Sequence, residues 1–458
     1  MKAAPAEPSA ATRRLERATA KPVAAVPGAM PPGPEAPQLA QTIAFHRDPL
    51  GVLARCRARY GKVFTLRLKL AGEWVVMADP RFVASVGTAD PGAAHAGEAR
   101  REILPQASPR SVFGADDATY RGAHARIATA FGADAIARRG PEMRRIAAAH
   151  ADSWPRRRPF RLLPRVRALV DEIFVRLMLG IDDPGRVQLA VAAIRRLIWT
   201  PVNPPVSPPG EGDGALGVVG KLLFNRRKAP LARLLIEEIE ARRALPGAPD
   251  GDDLLALSLA ARPELAPEAI VDELLAVLMA GQEPPALALT ALLDRLGRSP
   301  ELARRFATAD EDDPLRDAVV SETLRLRPPA AGVLRRLTEP MTFGAYALPA
   351  GTLVMVPIAL VHRDPQSFAE PEAFRPERWL HGEADERALF PFGVGARRCI
   401  GEALARAEIA NIIPAVVSRL HLRPLSRRPE RPIVRGTVLA PVRGALTIAT
   451  PVAAGAAI

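Results

Sequence analysis

The sequence predicts a mainly α-helical fold with a minor β region, and three observations support this. Apolar residues recur every three or four positions through most of the chain, which is the period of a helix packed against a core. Short runs of alternating or β-branched residues are confined to a few segments, at residues 62–80, 332–360 and the C-terminal tail. These strands do not alternate with helices along the chain, so a doubly wound parallel sheet is not expected.

The composition indicates a large globular protein. The chain has 458 residues, of which 48% are hydrophobic. This is enough to bury a large core, and it is compatible with one large domain or two smaller ones. The two cysteines provide no disulfide framework, which favours a reducing compartment, the cytoplasm.

The formal net charge of +13 has two explanations. One is an arginine-rich solvated surface, and the other is a surface that binds an acidic partner protein. The sequence has no block of Lys and Arg interleaved with aromatic residues, and no zinc-finger or nucleotide-loop spacing. Nucleic acid is therefore not expected as a partner.

Residues 1–30 are rich in Ala and Pro and predict a disordered N-terminal arm. A targeting peptide is the alternative, because the segment bears arginines, although Glu7 and Glu16 interrupt it. No apolar run in the sequence reaches the roughly 18 residues that a membrane span needs, so no membrane span is expected.

In the first half of the chain, helices and strands are separated by clear turn signals. Residues 49–60 have helical spacing, and residues 62–68 and 73–80 alternate in a way that is typical of a β-hairpin. Between residues 86 and 114 the pattern dissolves into Gly, Pro, Ala and charged residues, which predicts a long loop. Several helices are expected between residues 116 and 194.

In the second half, a proline-rich segment at residues 199–214 cannot continue a helix and separates two of them. A long helix is predicted at residues 267–296, and it should be buried because it is apolar almost all round. Short strands follow residue 332. The last helix, at residues 401–420, precedes a tail of short strands.

The most informative stretch is "FPFGVGARRCIGEALA" at residues 390–405, which contains Cys399. Arg397 and Arg398 precede the cysteine and a helical pattern follows it, and both positive charge and a helix N-terminus favour a thiolate. The glycines allow tight turns and a close approach of the backbone to a flat ligand. A buried structural cysteine is the alternative, and this is our interpretation of Cys56, which lies in a helix without such neighbours.

The pattern F-x-x-G-x-R-x-C-x-G at residues 392–401 resembles the haem-binding signature of the cytochrome P450 family. The resemblance implies haem b, iron protoporphyrin IX, as the cofactor. It implies that Cys399 is the axial iron ligand and that Phe392 and Gly393 belong to the cofactor site. It also implies the triangular haem-thiolate fold of the family, with residues 31–458 forming a single catalytic domain.

Two further parts of the sequence form a second motif of the family. Glu322 and Arg325 in "SETLRLRPP" are three residues apart, so they share one face of a helix and can pair. Considered alone, such a pair is usually a solvated surface ion pair. The resemblance implies that Arg378 in "FRPERW" completes a buried network with them.

The stretch "MAGQEPP" stands at the position of the oxygen-binding groove of the family, which implies catalytic roles for Ala280, Gly281 and Glu283. The usual motif ends in a threonine whose hydroxyl helps to deliver protons during oxygen activation, and Pro284 replaces it here. Proline has neither a hydroxyl nor a backbone N–H, and two prolines in succession are expected to kink or open the helix. Either a water or a substrate hydroxyl compensates, or the chemistry differs.

Haem carries two propionates, which need hydrogen-bond donors. The resemblance implies Tyr120 and His124, which are four residues apart and share a helix face, together with Arg335 and Arg397. Arginine is suitable because it binds a carboxylate through two hydrogen bonds. Arg335 and Arg336 face opposite sides of a strand, and the offset to "LTEP" favours Arg335.

The resemblance implies a monooxygenase that inserts one oxygen atom from O2 into an apolar small molecule. The segments expected to line the pocket are apolar, which favours a terpenoid, fatty acid, steroid or polyketide. They lie near Phe113, at residues 276–280 and 331–334, and near Val438. The chain contains no flavin or iron–sulfur segment, so a separate ferredoxin or flavodoxin should supply electrons to a monomeric enzyme.

Two alternatives to the monooxygenase remain open at this level. The first is a peroxygenase, which uses peroxide in place of O2 and electrons, or a non-oxidative haem-thiolate enzyme, and Pro284 is compatible with both. The second is a haem-binding sensor without catalysis. Turnover with a reductant and ferredoxin, compared with turnover on peroxide alone, separates the monooxygenase from the first alternative.

Overall fold

The structure is a computed structural model. It describes residues 30–69, 72–88, 92–102, 107–198, 215–246, 251–310 and 313–452. The predicted arm at residues 1–30, apart from Met30, and the proline-rich segment at residues 199–214 lie outside the described residues.

Helices dominate the described chain, which confirms the predicted fold class. The α-helices of the described residues are α1 (Gln38–Arg47), α2 (Pro49–Tyr60), α3 (Pro80–Thr88), α4 (Ala96–Arg101), α5 (Asp117–Ala128), α6 (Ala133–Ser153), α7 (Leu162–Ile173), α8 (Pro184–Ile198), α9 (Ala215–Ala244), α10 (Leu254–Ala261), α11 (Pro267–Leu296), α12 (Pro300–Thr308), α13 (Pro314–Leu326), α14 (Ile358–Val361), α15 (Glu377–Leu380) and α16 (Glu402–Val417). A π-helical turn, Phe174–Met178, continues α7.

The strands are short. They are β1 (Val63–Leu68), β2 (Gly72–Met77), β3 (Ala94–His95), β4 (Pro159–Arg161), β5 (Val333–Leu337), β6 (Met341–Phe343), β7 (Tyr346–Leu348), β8 (Leu353–Val356), β9 (Leu420–Pro424), β10 (Pro432–Arg435), β11 (Val438–Pro441) and β12 (Leu446–Pro451). The main sheet has the order β1-β2-β8-β5-β3, and a second sheet has the order β4-β12-β9. β1 and β2 pair antiparallel from Val63↔Met77 to Leu68↔Gly72, which confirms the predicted hairpin.

Acidic side chains fix the starts of several helices. The Asp48 carboxylate accepts a hydrogen bond from the amide of Gly51 at the start of α2, where proline occupies the first turn. Asp313 accepts from the amide of Leu315 at the start of α13, and Asp253 caps α10 in the same way. These contacts satisfy amide groups that have no partner inside the helix.

The core is centred on α11. This helix packs against α7, α9, α13 and α16, and α16 packs along α6. α11 is the one helix of the described residues that is long and apolar enough to cross a membrane, but 67% of its most apolar window is buried inside the protein. The sequence-based bounds of this helix, residues 267–296, are confirmed. The loop that carries Cys399 immediately precedes α16 and is therefore anchored to this core.

The long loop predicted between residues 86 and 114 is wrong in part. β3 and α4 lie within it, and α3 extends to Thr88. β3 forms through pairing with β5, and α4 is capped by a distant residue, because the Asp116 carboxylate accepts hydrogen bonds from the amides of Gly97 and Glu98. Both contacts are long-range in sequence, so local patterns did not predict them.

The expected opening of α11 at its two prolines is also wrong, because the helix continues through Pro284 and Pro285 without interruption. The prolines remove the hydrogen bonds that would reach the carbonyls of Ala280 and Gly281. Buried side chains on both sides of the prolines, such as Leu278 and Leu287, keep the helix packed in the core, and this packing maintains the helical path.

Candidate functional site

The Cys399 loop is a series of tight turns in front of α16. Gly393 and Gly395 have φ angles of +77° and +67°, a region that favours glycine. The amide of Cys399 donates to the carbonyl of Phe392 at 2.9 Å, which closes the loop. Cys399 is exposed, whereas Cys56 is fully buried, so the loop presents its thiol to open space.

The electrostatics of the thiol differ from the expectation that its flanking arginines lower its pKa. Although Cys399 is accessible to solvent, the protein atoms packed around its loop displace part of its water shell and raise its pKa, and the Gly401 amide and the charges of Arg100 and Arg398 offset this only in part. Arg398 is neutralised by two hydrogen bonds to Glu402, at 2.6 and 2.8 Å. The protein alone therefore favours the thiol, and a bound metal ion would remove its proton.

Three arginines, Arg100, Arg335 and Arg397, form a cluster near this loop. Arg335 is only 3% exposed. Burial, followed by the charges of the other two, lowers the pKa of Arg335 to about 9, and burial with the charge of Arg397 lowers that of Arg100 to about 10. Burial and mutual repulsion both disfavour these guanidinium charges, so a bound anion would stabilise them.

The arginines of this cluster have few hydrogen-bond acceptors for their guanidinium N–H groups. Arg397 donates through Nη2 to Asp116 at 2.6 Å and to the carbonyl of Ala115 at 2.7 Å. Its Nη1 atom is buried without a hydrogen-bond partner. Arg335 donates to the carbonyl of Leu334 at 2.9 Å. An anionic ligand with carboxylate groups would supply the missing acceptors.

Tyr120 and His124 lie together on α5, as their spacing predicts, with ring centroids 5.5 Å apart. The Tyr120 hydroxyl donates to the carbonyl of Ala396 at 3.0 Å, and the guanidinium of Arg397 lies 3.5 Å from the centre of its ring. The structure thus brings Tyr120 to the Cys399 loop. Phe392 packs against the main core, and the Arg406 guanidinium lies 5.4 Å from its ring centre.

The two neighbouring arginines of β5 have different environments. Arg335 is buried beside Arg100, Arg397 and Tyr120. Arg336 instead forms an ion pair with Glu102 on the other side of the strand.

The middle of α11 presents an open face. Ala280, Gly281 and Pro284 are partly exposed, although most of the helix around them is buried. Gly281 also has a packing role, because a Cβ atom there would lie 2.8 Å from the ring of Phe174. Phe174 begins the π-helical turn after α7, so a larger residue at Gly281 would displace this turn.

The side chain of Glu283 contacts α7 and not the open face of α11. Its carboxylate accepts two hydrogen bonds from Arg167 on α7, at 2.7 and 3.1 Å, and both residues are buried. Burial raises the pKa of Glu283, although Arg167 acts in the opposite direction. A carboxyl held in this way is able to exchange a proton at a pH above its ordinary range.

The predicted Glu–Arg–Arg network is buried, as the structure shows. Glu322, Arg325 and Arg378 are all 0% exposed. Arg325 donates two hydrogen bonds to Glu322, at 2.8 and 2.9 Å, and Arg378 donates a third at 3.2 Å. Trp379 and the amide of Arg375 donate to the same carboxylate. The network joins α13 to α15 and fixes the segment that leads to the Cys399 loop.

Sequence reasoning missed three residues of this region: Arg100, Asp116 and Arg167. Arg100 lies in the segment predicted as a loop, and nothing in "GEARRE" shows which of its two arginines faces inward. Asp116 resembles an ordinary helix cap, but it caps α4 and not its own helix. Arg167 shows no local signal, because its partner lies 116 residues away.

Comparison with known proteins shows consistent similarities along the chain. The sequence model of the cytochrome P450 family matches residues 223–448. The putative cytochrome P450 135B1 of Mycobacterium tuberculosis is 32% identical over 436 residues, which cover 91% of this chain and 90% of that protein. The putative cytochrome P450 137 of the same species is 28% identical over 431 residues.

Two solved structures have the same fold. Retinoic acid bound cyanobacterial CYP120A1 matches with a TM-score of 0.77 and 22% identity, covering 93% of this chain and 100% of that one. Cytochrome P450 CYP109Q5 from Chondromyces apiculatus matches with a TM-score of 0.70 and 22% identity, covering 90% and 98% of the two chains.

Proposed function

Because the chain belongs to the cytochrome P450 family and is a haem-thiolate monooxygenase, we propose that it inserts one oxygen atom from O2 into an apolar small molecule. The observation that carries this proposal is the exposed thiol of Cys399 near a cluster of three arginines, in which the buried Nη1 atom of Arg397 has no hydrogen-bond partner. A cysteine ligand together with a cluster of arginines suits an iron porphyrin with acidic side chains.

The donor set fits haem b in particular. Haem b has two propionates, and the cluster of Arg100, Arg335 and Arg397 has an excess of positive charge over Asp116. The second cysteine, Cys56, is buried in a different core cluster, so the two cysteines cannot form a pair of covalent attachments to one haem. Cys399 would hold the iron, and the arginines with Tyr120 and His124 would hold the propionates.

When bound, the cysteine-ligated haem supplies the oxygen chemistry of the enzyme. The residues of the chain have three tasks around it. Phe392 and Gly393 shape the turn that presents the thiol, and Ala280, Gly281 and Pro284 leave open space on α11. Glu283, buried and paired with Arg167, directly precedes Pro284 in α11 and is our candidate for the residue that passes protons to the reaction.

The proposed substrate class rests on the apolar segments that the sequence predicts to line the pocket. Val438 belongs to the main core cluster with α11, and the neighbouring Thr437 carbonyl accepts a hydrogen bond from the Ala331 amide at 2.9 Å, whereas Leu334 packs against the second core cluster. Val438, Ala331 and Leu334 are apolar, which favours a terpenoid, fatty acid, steroid or polyketide. One solved structure of this fold, that of cyanobacterial CYP120A1, has retinoic acid bound.

The enzyme requires a redox partner, and we propose an acidic ferredoxin or flavodoxin. Arg398 and Arg406 are exposed beside the Cys399 loop and offer a basic docking surface. The enzyme is proposed to work as a monomer in the cytoplasm, where its two unpaired cysteines stay reduced.

The test is turnover of the haem-loaded protein with a panel of apolar substrates. One set of reactions contains ferredoxin, its reductase, NADH and O2 labelled with 18O, and the other contains hydrogen peroxide alone. Label in the product of the first set supports the monooxygenase. Efficient product formation from peroxide, with almost none from the electron-transfer system, would replace it with the peroxygenase, and Pro284 is the observation that favours that second candidate.

A further inference from the structure

The hairpin of β10 and β11 directs one arginine toward α11. Arg435 is opposite Val438 in this antiparallel pair, and Ile433 is opposite Ala440. Directly opposed residues of an antiparallel pair have their side chains on the same face. Val438 and Ala440 belong to the main core cluster with α11, so Arg435 lies on the face of the hairpin that is turned toward that helix.

This end of the hairpin borders the proposed substrate space. Val438 forms a β-bridge with Ala330, and the amide of Leu439 donates to the carbonyl of Pro329 at 2.8 Å. The segment after Ala330 is partly exposed up to Leu334. Arg435 is therefore placed at the edge of the space between this segment and α11.

Arg435 is the uncompensated charge at this edge. It is exposed, and within the described chain its guanidinium has neither a hydrogen bond nor an ion pair. Glu283 and Arg167 lie within its electrostatic reach, because the charge of Arg435 contributes to the pKa of both. Those two residues neutralise each other at 2.7 Å, which leaves the guanidinium of Arg435 without an acceptor beside an otherwise apolar space.

We propose that Arg435 binds the carboxylate of the substrate, so that the substrate of this enzyme is an apolar molecule with an acidic end group. A guanidinium at the entrance of an apolar space anchors a carboxylate through two hydrogen bonds, while the hydrocarbon part extends along α11 toward Cys399. This inference rests on the proposed function and narrows its substrate class.

The experiment measures binding to the haem-loaded protein by the substrate-induced shift of its absorption spectrum. The probes are myristic acid and farnesoic acid, each compared with its methyl ester, which has the same hydrocarbon part without the charge. At least one of the acids should bind the wild-type protein about tenfold more tightly than its ester. The Arg435→Gln variant should lose this preference while its affinity for the ester stays the same, and Arg435→Lys should keep part of it.

Arg431→Gln is the matched control, because Arg431 is exposed four residues earlier in the chain, just before the same hairpin. It should keep the wild-type preference. The inference is overturned if no acid binds better than its ester, or if Arg435→Gln keeps the preference. The spectrum before any ligand is added reports separately on haem-thiolate ligation, so a failure of the proposed function is recognised independently.

Discussion

At the scale of single residues, the environment of Glu322 decides how the protein is held together behind the proposed haem. Burial alone would raise the pKa of this carboxyl, but hydrogen bonds from Arg325 and from the Arg375 amide, with the charges of Arg325 and Arg378, hold it below its ordinary value. The carboxylate is therefore charged and fully paired. Its loss would leave two buried guanidinium groups without their counter-charge, with backbone carbonyls as their remaining acceptors.

Glu322→Gln should destabilise the protein by about 3–5 kcal/mol, because removing one partner of a buried charge network strands the others. Arg378→Ala should act in the same direction. The measurement is thermal unfolding together with haem content after purification. Glu372→Gln is the control, since Glu372 is 75% exposed in its pair with Arg363 and should change stability by less than about 1 kcal/mol. Equal melting of Glu322→Gln and the control would show that the network contributes little.

Glu408 on α16 gives the protein a distinct dependence on pH. It is 1% exposed, its Oε2 atom has no hydrogen-bond partner, and burial raises its pKa from 4.5 to about 8. Between these two pH values the folded protein retains a proton that the unfolded chain releases. Stability contributed by this group is therefore lost as the pH rises from 4.5 to about 8.

Glu408→Gln should remove this loss. The variant should be more stable than wild type at pH 8, by an amount on the order of 2 kcal/mol, and close to wild type near pH 5. Unfolding by denaturant at both pH values measures the difference, and Glu240→Gln on the exposed side of α9 is the control. If the difference in stability between Glu408→Gln and the wild type is the same at pH 5 and pH 8, burial does not raise the pKa of Glu408 in the way assigned here.

Contacts between site residues were predictable from the sequence where both residues belong to one local motif. They were not predictable where tertiary packing brings distant residues together. Glu322 and Arg325 are three residues apart, so a helix places them side by side whatever the tertiary structure. The pairing of Glu283 with Arg167 depends on how α7 packs against α11, which no local pattern contains. For the same reason the sequence did not single out Arg100.

At the scale of elements, the sequence predicts where α11 begins and ends, but not that the helix continues unbroken through its two internal prolines. Its apolar character and the proline at its first turn define residues 267–296 from sequence alone. The two internal prolines remove two hydrogen bonds without breaking the helix, because core packing on both sides holds it. The carbonyls freed by the prolines, those of Ala280 and Gly281, lie on or next to its open face.

Pro284→Thr should increase the fraction of NADH-derived electrons that appear in product, and it should lower peroxide release. The reason is that a hydroxyl at this position adds a second route for protons beside Glu283. The measurement is product formed per NADH consumed, with one substrate shown to bind. Pro285→Thr is the matched control, because it also restores a backbone N–H but lies about 100° further around the helix.

Two outcomes would contradict this interpretation. If both variants change coupling equally, the effect comes from the backbone and not from the hydroxyl. If Glu283→Gln reduces turnover with peroxide as much as turnover with ferredoxin, Glu283 stabilises the fold through Arg167 and does not move protons. The peroxide reaction brings its own oxygen protons and should be the less affected of the two.

At the scale of the whole molecule, the net charge of +13 is distributed over many paired arginines. Beside the Cys399 loop, Arg398 and Arg406 are 58% and 48% exposed, and both bind the same carboxylate, Glu402. The proposed docking surface at Arg398 and Arg406 is therefore less positive than two free arginines would be, because these two positive charges share one negative charge. The remaining positive charge should still steer an acidic partner toward the loop.

The double variant Arg398→Glu with Arg406→Glu should slow reduction of the haem by reduced ferredoxin about tenfold at low salt, because the charge steers the encounter. The wild-type rate should fall as salt is added, and the rate of the double variant should change little. Arg233→Glu, an exposed position on α9, is the control for a change of charge elsewhere. A wild-type rate that is indifferent to ionic strength would contradict docking at this surface.

The absorption spectrum of the reduced protein with carbon monoxide tests directly whether Cys399 ligates the haem iron. The wild-type protein should bind haem and show the red-shifted Soret band of a thiolate ligand. Cys399→Ser should lose this band, while Cys56→Ser, in which a fully buried cysteine of the second core cluster is replaced, should retain it in the fraction that folds. A band that survives in Cys399→Ser, or that disappears in folded, haem-containing Cys56→Ser, would contradict the assignment of Cys399 as the iron ligand.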